Sequence, residues 1–164
     1  MNNQTVMREL IDCCSDLQKI KKEMNRNKLS PANRFLTDYA IIRASGTIEI
    51  SLKQIITHFC CNSNVPQANQ YILSTHEKMS YSIKYNDLLS RLKKFDSHWK
   101  TSLKKLVDQD NKRNMHIDRW NSLINERHQI AHGTVTNTTI TINNTISYFR
   151  SAIKIIRYID SVIK

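Results

Sequence analysis

The stretch Trp120-Asn-Ser-Leu-Ile-Asn-Glu126-Arg127-His128-Gln-Ile-Ala-His132-Gly133 decides the fold of this chain. It predicts a helix over about residues 115–132, because apolar residues recur along one side at three- and four-residue spacing. The residues of this stripe are Trp120, Leu123, Ile124, Ile130 and Ala131, with Arg127 among them. Gly133 follows directly, and glycine most readily takes the left-handed conformation that ends a helix. We therefore expect a helix that packs on a core and ends at Gly133.

Three other segments show the same spacing over a comparable length. They predict helices at about residues 5–24, 32–59 and 144–164, each with one apolar stripe. The helix at residues 32–59 is expected to be central. Gly46 lies inside it and costs about 1 kcal/mol relative to alanine, which indicates a kink or a close helix crossing there.

Shorter helical patterns lie between the long ones, at residues 67–73, 83–95 and 96–107, with Asp96 and Ser97 as candidate N-caps. Residues 61–66 indicate a break, and the threonine- and asparagine-rich residues 134–144 a loop or a short extended piece. Only two glycines and two prolines occur in 164 residues, which favours long helices. The sequence predicts a single all-α domain, residues 1–164, built as a helical bundle of four long helices with shorter inserted helices.

The chain is strongly basic. It has 25 lysines and arginines against 14 aspartates and glutamates, a formal net charge of +11. Such an excess attracts polyanions, so nucleic acid is the partner class that the composition favours. The alternative is a set of solvated lysine-coated faces. Lysines come in adjacent pairs within residues 84–119, among them Lys104 and Lys105, and we expect a positive helix face there.

The cysteines form two adjacent pairs, Cys13-Cys14 and Cys60-Cys61. Neighbouring cysteines on a helix point in different directions, so we expect buried reduced thiols and no disulfide framework. No metal-ligand spacing accompanies them, and neither a metal nor another cofactor is expected. No apolar run approaches the roughly 18 residues that span a bilayer, and the first residues lack the features of a signal peptide. The sequence predicts a soluble, cytoplasmic protein with no membrane partner.

The run from Trp120 to Gly133 resembles the signature of the HEPN superfamily, in particular its RiboL-PSP-like and MAE-type branches. In these helical proteins an arginine, a polar residue, a short spacer and a histidine mark a metal-independent RNase site. Arg127, His128 and His132 match that pattern, with Gly133 following. A weaker resemblance covers residues 41–49 in the second long helix. The resemblance implies a HEPN fold and an endoribonuclease whose catalytic residues are Arg127 and His132.

The resemblance also implies partners. Members of the superfamily commonly pair as two-fold homodimers with both Arg/His sets facing one cleft, which implies a homodimer with an RNA substrate. It further implies a toxin restrained by an antitoxin, or an antiviral-defence effector under a regulatory protein. Some members bind RNA or a protein without cutting. That alternative stays open, as does a generic basic DNA-binding or adaptor protein.

The spacing of arginine and histidine alone carries no information in so basic a chain. With 10 arginines and 6 histidines, about one Arg-x(4–6)-His pair is expected by chance. A second match, Arg91 to His98, spans the predicted break between two short helices and lacks the surrounding signature. The hypothesis therefore depends on the position of Arg127 and His132 at a helix end before glycine.

The residue types suit RNA cleavage without a metal, in which the ribose 2′-hydroxyl attacks the neighbouring phosphate. Histidine exchanges protons near neutral pH, so His132 is the candidate general acid or base. Arg127 is permanently charged and presents a planar fork that fits phosphate oxygens. DNA lacks the 2′-hydroxyl and would not be cut by this mechanism.

Neighbouring residues are assigned supporting and RNA-binding roles. His128 is interpreted as a phosphate contact or as a residue that orients Arg127, with proton transfer as a further alternative. Asn125 and Glu126 flank the motif, and Glu126 is interpreted as a solvated or ion-pairing residue. Lys104 and Lys105 are candidate RNA contacts. Trp120 is predicted to belong to the core rather than to stack on a base.

Helix geometry sets a condition on this site. Five residues at about 100° each place Arg127 and His132 roughly 140° apart on an ideal helix. One solution is that the helix unwinds near Gly133 and brings His132 round. The other is that two chains of a symmetric dimer combine their residues in one cleft.

Overall fold

The computed structural model describes residues 3–61, 66–78, 83–133 and 140–163, which form seven α-helices and no strand. The all-α prediction is confirmed. Parts of the predicted break at 61–66 and of the predicted link at 134–144 lie outside the described residues. The helices are α1 (Gln4–Arg26), α2 (Ala32–Cys60), α3 (Pro66–Lys78), α4 (Tyr85–Phe95), α5 (Ser97–Asp108), α6 (Arg113–Ala131) and α7 (Ile142–Val162).

Four of these helices are long, and they make up the bundle. α1, α2, α6 and α7 have 23, 29, 19 and 21 residues, whereas α3, α4 and α5 have 13, 11 and 12. α7 packs against α1, α2, α5 and α6, and α2 packs against α1, α3, α6 and α7. The predicted arrangement of four long helices with shorter inserted ones is confirmed, and α2 is central as expected.

Side-chain caps set several helix boundaries. The Asn3 side chain accepts the Val6 N–H at 3.1 Å at the start of α1. Asp96 has extended backbone between α4 and α5, and its carboxylate accepts the His98 N–H at 2.7 Å, so the predicted N-cap is confirmed. Thr141 and Asn144 form a reciprocal capping box, which starts α7 two residues earlier than the apolar spacing predicts.

The core of the bundle holds α6 in place from several sides. The Trp120 side chain is fully buried, and its Nε1 donates a hydrogen bond to the Ile83 carbonyl at 2.9 Å. The Tyr85 N–H donates to Asn121 Oδ1 at 2.9 Å, which attaches the start of α4 to the same helix. The prediction that Trp120 is a core residue is confirmed. Buried indole N–H groups normally need such a partner.

Gly46 has a different environment from the one its sequence position suggests. α2 runs as one helix from Ala32 to Cys60. A Cβ built on Gly46 would meet no atom within 4 Å among the described residues. Of the two explanations for Gly46, a kink or a close helix crossing, a crossing by one of the described helices of the same chain is therefore wrong, because such a crossing would fill that space.

The four cysteines are free thiols. Cys13 is buried, and burial raises the pKa of its thiol to about 11. Its Sγ donates to the Arg43 carbonyl on α2 at 3.9 Å. The prediction of buried thiols holds for Cys13 only, since Cys14, Cys60 and Cys61 are half-buried. In the described part of the chain, no helix is both long and apolar enough to cross a bilayer.

A polar cluster fixes the turn between α5 and α6 against α7. The Tyr158 hydroxyl donates to Asp110 Oδ2 at 2.8 Å, and His116 Nε2 lies 3.6 Å from the same oxygen. The backbone N–H of Lys112 donates to Asp110 Oδ1 at 2.8 Å. These hydrogen bonds lower the pKa of the Asp110 carboxyl. Burial lowers the pKa of His116 below its usual 6.5.

This cluster predicts a fold that loses stability in acid. Because its folded pKa is lowered, His116 binds a proton less readily in the folded chain than in the unfolded chain, so protonation favours unfolding. Its contribution is complete above pH 6.5 and is lost as the pH falls from there through the lower folded pKa. Asp110 adds a second loss as the pH falls below 3.8 through its own lowered pKa.

The measurement is the free energy of unfolding in urea as a function of pH. We expect it to decrease as the pH falls below 6.5 in the wild-type chain. The His116→Gln variant takes up no proton at this position, so its free energy of unfolding should not decrease in this pH range. It should still lose stability below pH 3.8, where Asp110 is protonated. A wild-type free energy of unfolding that stays constant over this upper pH range would contradict the assignment of the effect to His116.

Candidate functional site

The candidate catalytic residues lie at the end of α6. The helix ends at Ala131, and His132 is its C-cap, whose backbone N–H donates to the His128 carbonyl at 3.0 Å. Gly133 follows with a φ of 62°, and its N–H donates to the Ile130 carbonyl at 3.2 Å. The prediction that Gly133 ends this helix in the left-handed conformation is confirmed.

This geometry answers the question of how Arg127 and His132 are arranged. The i to i−4 hydrogen bond of His132 and its φ of −93° with ψ of 0° keep it on the last turn. The left-handed residue comes only after it. The expectation that the helix unwinds and brings His132 round is therefore wrong, and the two side chains leave the helix about 140° apart.

The residues of the motif differ in burial. Arg127 continues the core-facing stripe of Trp120, seven residues earlier, and is half-buried, as is His128. His132 and Asn125 are exposed. Glu126 is only 8% exposed, so of its two interpretations, a solvated or an ion-pairing residue, the solvated one is wrong. The reason is its position beside the stripe that carries the buried Leu123, which its residue type did not reveal.

The electrostatics of a helix end favour cations at this site. The last carbonyl groups of α6 have no partner within the helix and carry a partial negative charge. A phosphate is repelled there unless positive side chains compensate. Within the described ranges, the guanidinium of Arg127 forms no ion pair with a carboxylate. It is the motif's permanent positive charge.

The two lysines predicted to contact RNA have different surroundings. Lys104 lines a groove of about 440 Å³ between α4, α5 and α6, together with Lys100 one turn earlier. Lys105 is exposed and does not line it. The predicted pair is therefore not brought together in one place, because adjacent residues on a helix point about 100° apart. Sequence reasoning missed Lys100, although its four-residue spacing from Lys104 was the available signal.

The rest of the groove is suited to a polar ligand with an apolar face. The Asn86 and Ser90 side chains from α4 lie on one wall, and Leu89 and Ile117 add apolar surface. The Asp108 carboxylate also lines the groove and pairs with Arg113 at 3.4 Å. Tyr85 is buried beneath them, and burial raises the pKa of its phenol to about 12, so the phenol stays neutral. From Ile117 to Arg127 the distance along the α6 axis is about 15 Å.

The second Arg/His match, Arg91 and His98, does not lie within one helix. Arg91 belongs to α4 and His98 to α5, and the extended residue Asp96 separates the two helices. The predicted helix break is confirmed. In the described part of the chain, no three histidine, cysteine, aspartate or glutamate side chains are grouped so that they could hold a metal ion.

Comparison with known families decides the classification. The model of the family described as RiboL-PSP-HEPN matches residues 8–164, nearly the whole chain. The chain belongs to the RiboL-PSP-HEPN family. The match includes the run 120–133, so the resemblance seen there is confirmed. No curated protein and no solved structure matches the chain.

Proposed function

We propose that this RiboL-PSP-HEPN domain is a metal-independent endoribonuclease that uses Arg127 and His132. The observation that carries the proposal is the end of α6. There a half-buried arginine and an exposed histidine flank the last turn before Gly133, in a chain that belongs to a HEPN family. HEPN domains are commonly RNases or have RNA-related roles.

The chemistry is an internal transfer on the phosphate. A histidine acting as general base takes the proton of the ribose 2′-hydroxyl, whose oxygen attacks the adjacent phosphorus. The bond from phosphorus to the 5′-oxygen breaks, and a histidine acting as general acid gives that oxygen a proton. The products are a 2′,3′-cyclic phosphate and a 5′-hydroxyl end. No step needs a metal or another cofactor.

Arg127 stabilises the additional negative charge on the phosphate in the transition state. Its planar fork donates two hydrogen bonds to phosphate oxygens. This charge is needed because the carbonyl end of α6 by itself repels a phosphate. His128, the residue after Arg127, and the exposed Asn125, two residues before it, supply further polar contacts to the RNA. The buried Glu126 has a supporting role within the helix.

A homodimer completes the site. In one chain the arginine and the histidine leave α6 on different sides, and each chain has one His132. Two chains related by a two-fold axis bring two arginines and two histidines to one cleft. One histidine then acts as base and the other as acid. The groove that contains Lys100 and Lys104 holds a more distant part of the same RNA strand.

The biological role that we propose is growth arrest or antiviral defence, with activity restrained by an antitoxin or another regulatory protein. The alternative function is a HEPN module that binds RNA or a protein without cutting. The strongly basic composition favours RNA as the ligand in both cases. The alternatives differ in one observable, which is whether RNA strands are broken.

The first prediction concerns cleavage itself. The purified wild-type chain should cut single-stranded RNA in EDTA and leave cyclic-phosphate or phosphate 3′ ends. His132→Ala should lower the rate by about 10²–10⁴-fold, since a proton-transfer group is lost. Arg127→Ala should lower it by at least about 10²-fold. Arg91→Ala and His98→Ala serve as matched controls, because they remove the same residue types, and they should retain activity.

Binding must be measured beside cleavage to interpret the result. His132→Ala should still bind RNA, since the general acid or base contributes little to ground-state affinity. Wild-type protein that binds RNA but leaves it intact at every protein concentration would exclude the nuclease and support the non-catalytic module.

The second prediction tests the shared site. In the shared cleft both copies of His132 are needed, one as base and one as acid, so a mixed dimer of a wild-type and a His132→Ala chain should be inactive. Wild-type protein mixed with an equal amount of His132→Ala protein should, after subunit exchange, cut RNA at about half the rate of the same wild-type protein alone, since only a quarter of the dimers then have two wild-type chains. An unchanged rate would mean that each chain carries a complete site of its own.

The third prediction concerns the groove. In the His132→Ala background, Lys100→Ala/Lys104→Ala should weaken binding of a labelled single-stranded RNA by about tenfold or more, measured by fluorescence anisotropy. Lys93→Ala/Lys105→Ala removes the same charge from exposed positions outside the groove and should cost only about two- to threefold. Equal losses in the two double variants would mean that only net charge matters.

A further inference from the structure

The groove between α4, α5 and α6 contains a buried hydroxyl without a partner. Tyr85 is 4% exposed and lies in the wall of this groove, whose volume is about 440 Å³. Its hydroxyl oxygen has no hydrogen-bond partner among the described residues. Buried polar groups normally find a partner within the folded chain, because an unpaired one costs folding free energy. The hydroxyl therefore indicates a ligand that enters the groove and pairs with it.

The Tyr85 phenol offers a proton to such a ligand. Burial, and to a smaller extent the charge of Asp108, raises its pKa to about 12, so the proton stays on the oxygen near neutral pH. Asp108 lines the same groove, and its carboxylate only accepts hydrogen bonds. A donor and an acceptor thus belong to one end of the groove.

Charged side chains follow one row of α5 along the groove. Lys100, Lys104 and Asp108 are four residues apart, so they lie on one side of the helix. Along the helix axis Asp108 is about 6 Å from Lys104 and about 12 Å from Lys100. Neither lysine forms an ion pair with a carboxylate among the described residues. The groove therefore has a positive end and a negative end.

Opposite charges at the two ends restrict the class of ligand. A simple anion is attracted by the lysines but repelled by Asp108. A ligand with an anionic group at one end and N–H donors at the other fits both ends. Between them, Leu89 and Ile117 present apolar surface, which suits the face of a flat ring. A nucleotide has all three parts, in the order phosphate, ring and polar base edge.

The polar groups at the base end favour guanine. Its Watson–Crick edge has an acceptor, O6, beside two donors, N1–H and N2–H, so Tyr85 donates to O6 and Asp108 accepts from both donors. The same edge of adenine, cytosine or uracil gives Asp108 only one donor group. Asp108 Oδ1 also accepts from Arg113 at 3.4 Å. A carboxylate has about four acceptor sites, so this contact leaves room for the base.

We propose that this groove is a pocket for one unstacked guanine nucleotide, with its phosphate at Lys100 and Lys104 and its base edge at Tyr85 and Asp108. The use of this pocket to select RNA rests on the proposed function. Ile117 is about 15 Å from Arg127 along α6, so the recognised guanine lies a few nucleotides from the phosphate that is cut. Binding of the nucleotide itself is measured without any cleavage.

The direct test is a titration of the full chain with the four nucleoside 5′-monophosphates and with inorganic phosphate, followed by amide NMR spectra. GMP should bind about tenfold or more tightly than AMP, CMP, UMP or phosphate, because it gives Asp108 one more charge-assisted hydrogen bond. The largest shifts should come from residues that line the groove. Equal affinities for the four nucleotides, phosphate as strong as GMP, or no binding at about 10 mM GMP would overturn the pocket.

The Tyr85→Phe variant removes only the unpartnered hydroxyl. It should weaken GMP binding by about three- to tenfold. Its Tm should stay the same or rise, since no hydrogen bond within the described protein is lost. Tyr71→Phe is the matched control, because it removes a hydroxyl from a residue of α3 that is 71% exposed. Full GMP affinity in Tyr85→Phe would overturn the assigned base contact.

The Asp108→Asn variant separates base recognition from charge. It makes the chain more positive, so attraction of the phosphate alone predicts tighter GMP binding. The pocket predicts GMP binding that is about tenfold weaker. Asp87→Asn removes the same charge from an exposed residue outside the groove and should not weaken GMP binding. Circular dichroism should show the same helix content in both variants.

Unchanged or tighter GMP binding by Asp108→Asn would overturn the proposal. Its failure is distinct from that of the nuclease. A chain that binds GMP as described but cuts no RNA would leave the pocket standing and remove the nuclease. A chain that cuts RNA but does not prefer GMP would leave the nuclease and remove the pocket.

Discussion

The hydrogen bond from the His132 N–H to the His128 carbonyl is the constraint on which the rest depends, because it keeps α6 helical up to its cap. In an intact helix the angle between two side chains follows from their spacing alone. Arg127 follows the core-facing stripe of Trp120, whereas His132 leaves the helix about 140° away. Changes of rotamer move the side-chain tips but not these directions. A site that uses both residues of one chain therefore needs side chains long enough to reach round the helix. The alternative is a two-fold dimer, in which a second chain supplies the other residue and the helix stays intact.

The bundle holds α6 so that this geometry is fixed. The Trp120 indole donates to the Ile83 carbonyl, and Asn121 receives the Tyr85 N–H, so the segment before α4 is attached to the middle of α6. The cluster of Asp110, His116 and Tyr158 attaches the start of α6 to α7. Residues placed on such a helix keep their relative positions better than residues on a loop. This suits a reaction in which a proton-transfer group must stay within hydrogen-bond reach of its oxygen.

The parts of the fold that could be predicted from sequence are those governed by local rules. Apolar spacing located the four long helices, and cap chemistry at Asp96 and Gly133 located helix ends. The errors arose where tertiary contacts decide. Glu126 is an acidic residue that is buried, and among the described residues no neighbouring helix fills the space at Gly46. α3 extends to Lys78, beyond the predicted 67–73.

The candidate site was predictable to a similar degree. The position of Arg127 and His132 at the end of a helix follows from the pattern and is confirmed, while their catalytic role stays a proposal. The lysines show why neighbours in sequence mislead. Lys104 and Lys105 are adjacent in the sequence, but the helix places Lys104 beside Lys100 in the groove instead. Apolar spacing does not separate the core face of α2 from its exposed face, because both faces carry apolar residues. Only the exposure of Phe35 and Tyr39 separates them.

The proposed dimer and its RNA ligand respond to salt in opposite directions. Joining two copies of this chain brings together formal charges of +11 and +11, and their repulsion weakens as salt shortens the screening length to about 8–10 Å at physiological ionic strength. Any apolar contact between the copies opposes this repulsion and is not weakened by salt. RNA binding by cations, in contrast, weakens as salt rises, because releasing counterions into a more concentrated salt solution gains less entropy. Bound RNA itself neutralises part of the repulsion between the copies. In the proposed assembly, dimerisation and RNA binding are thus coupled through charge, since the RNA that binds also favours the dimer.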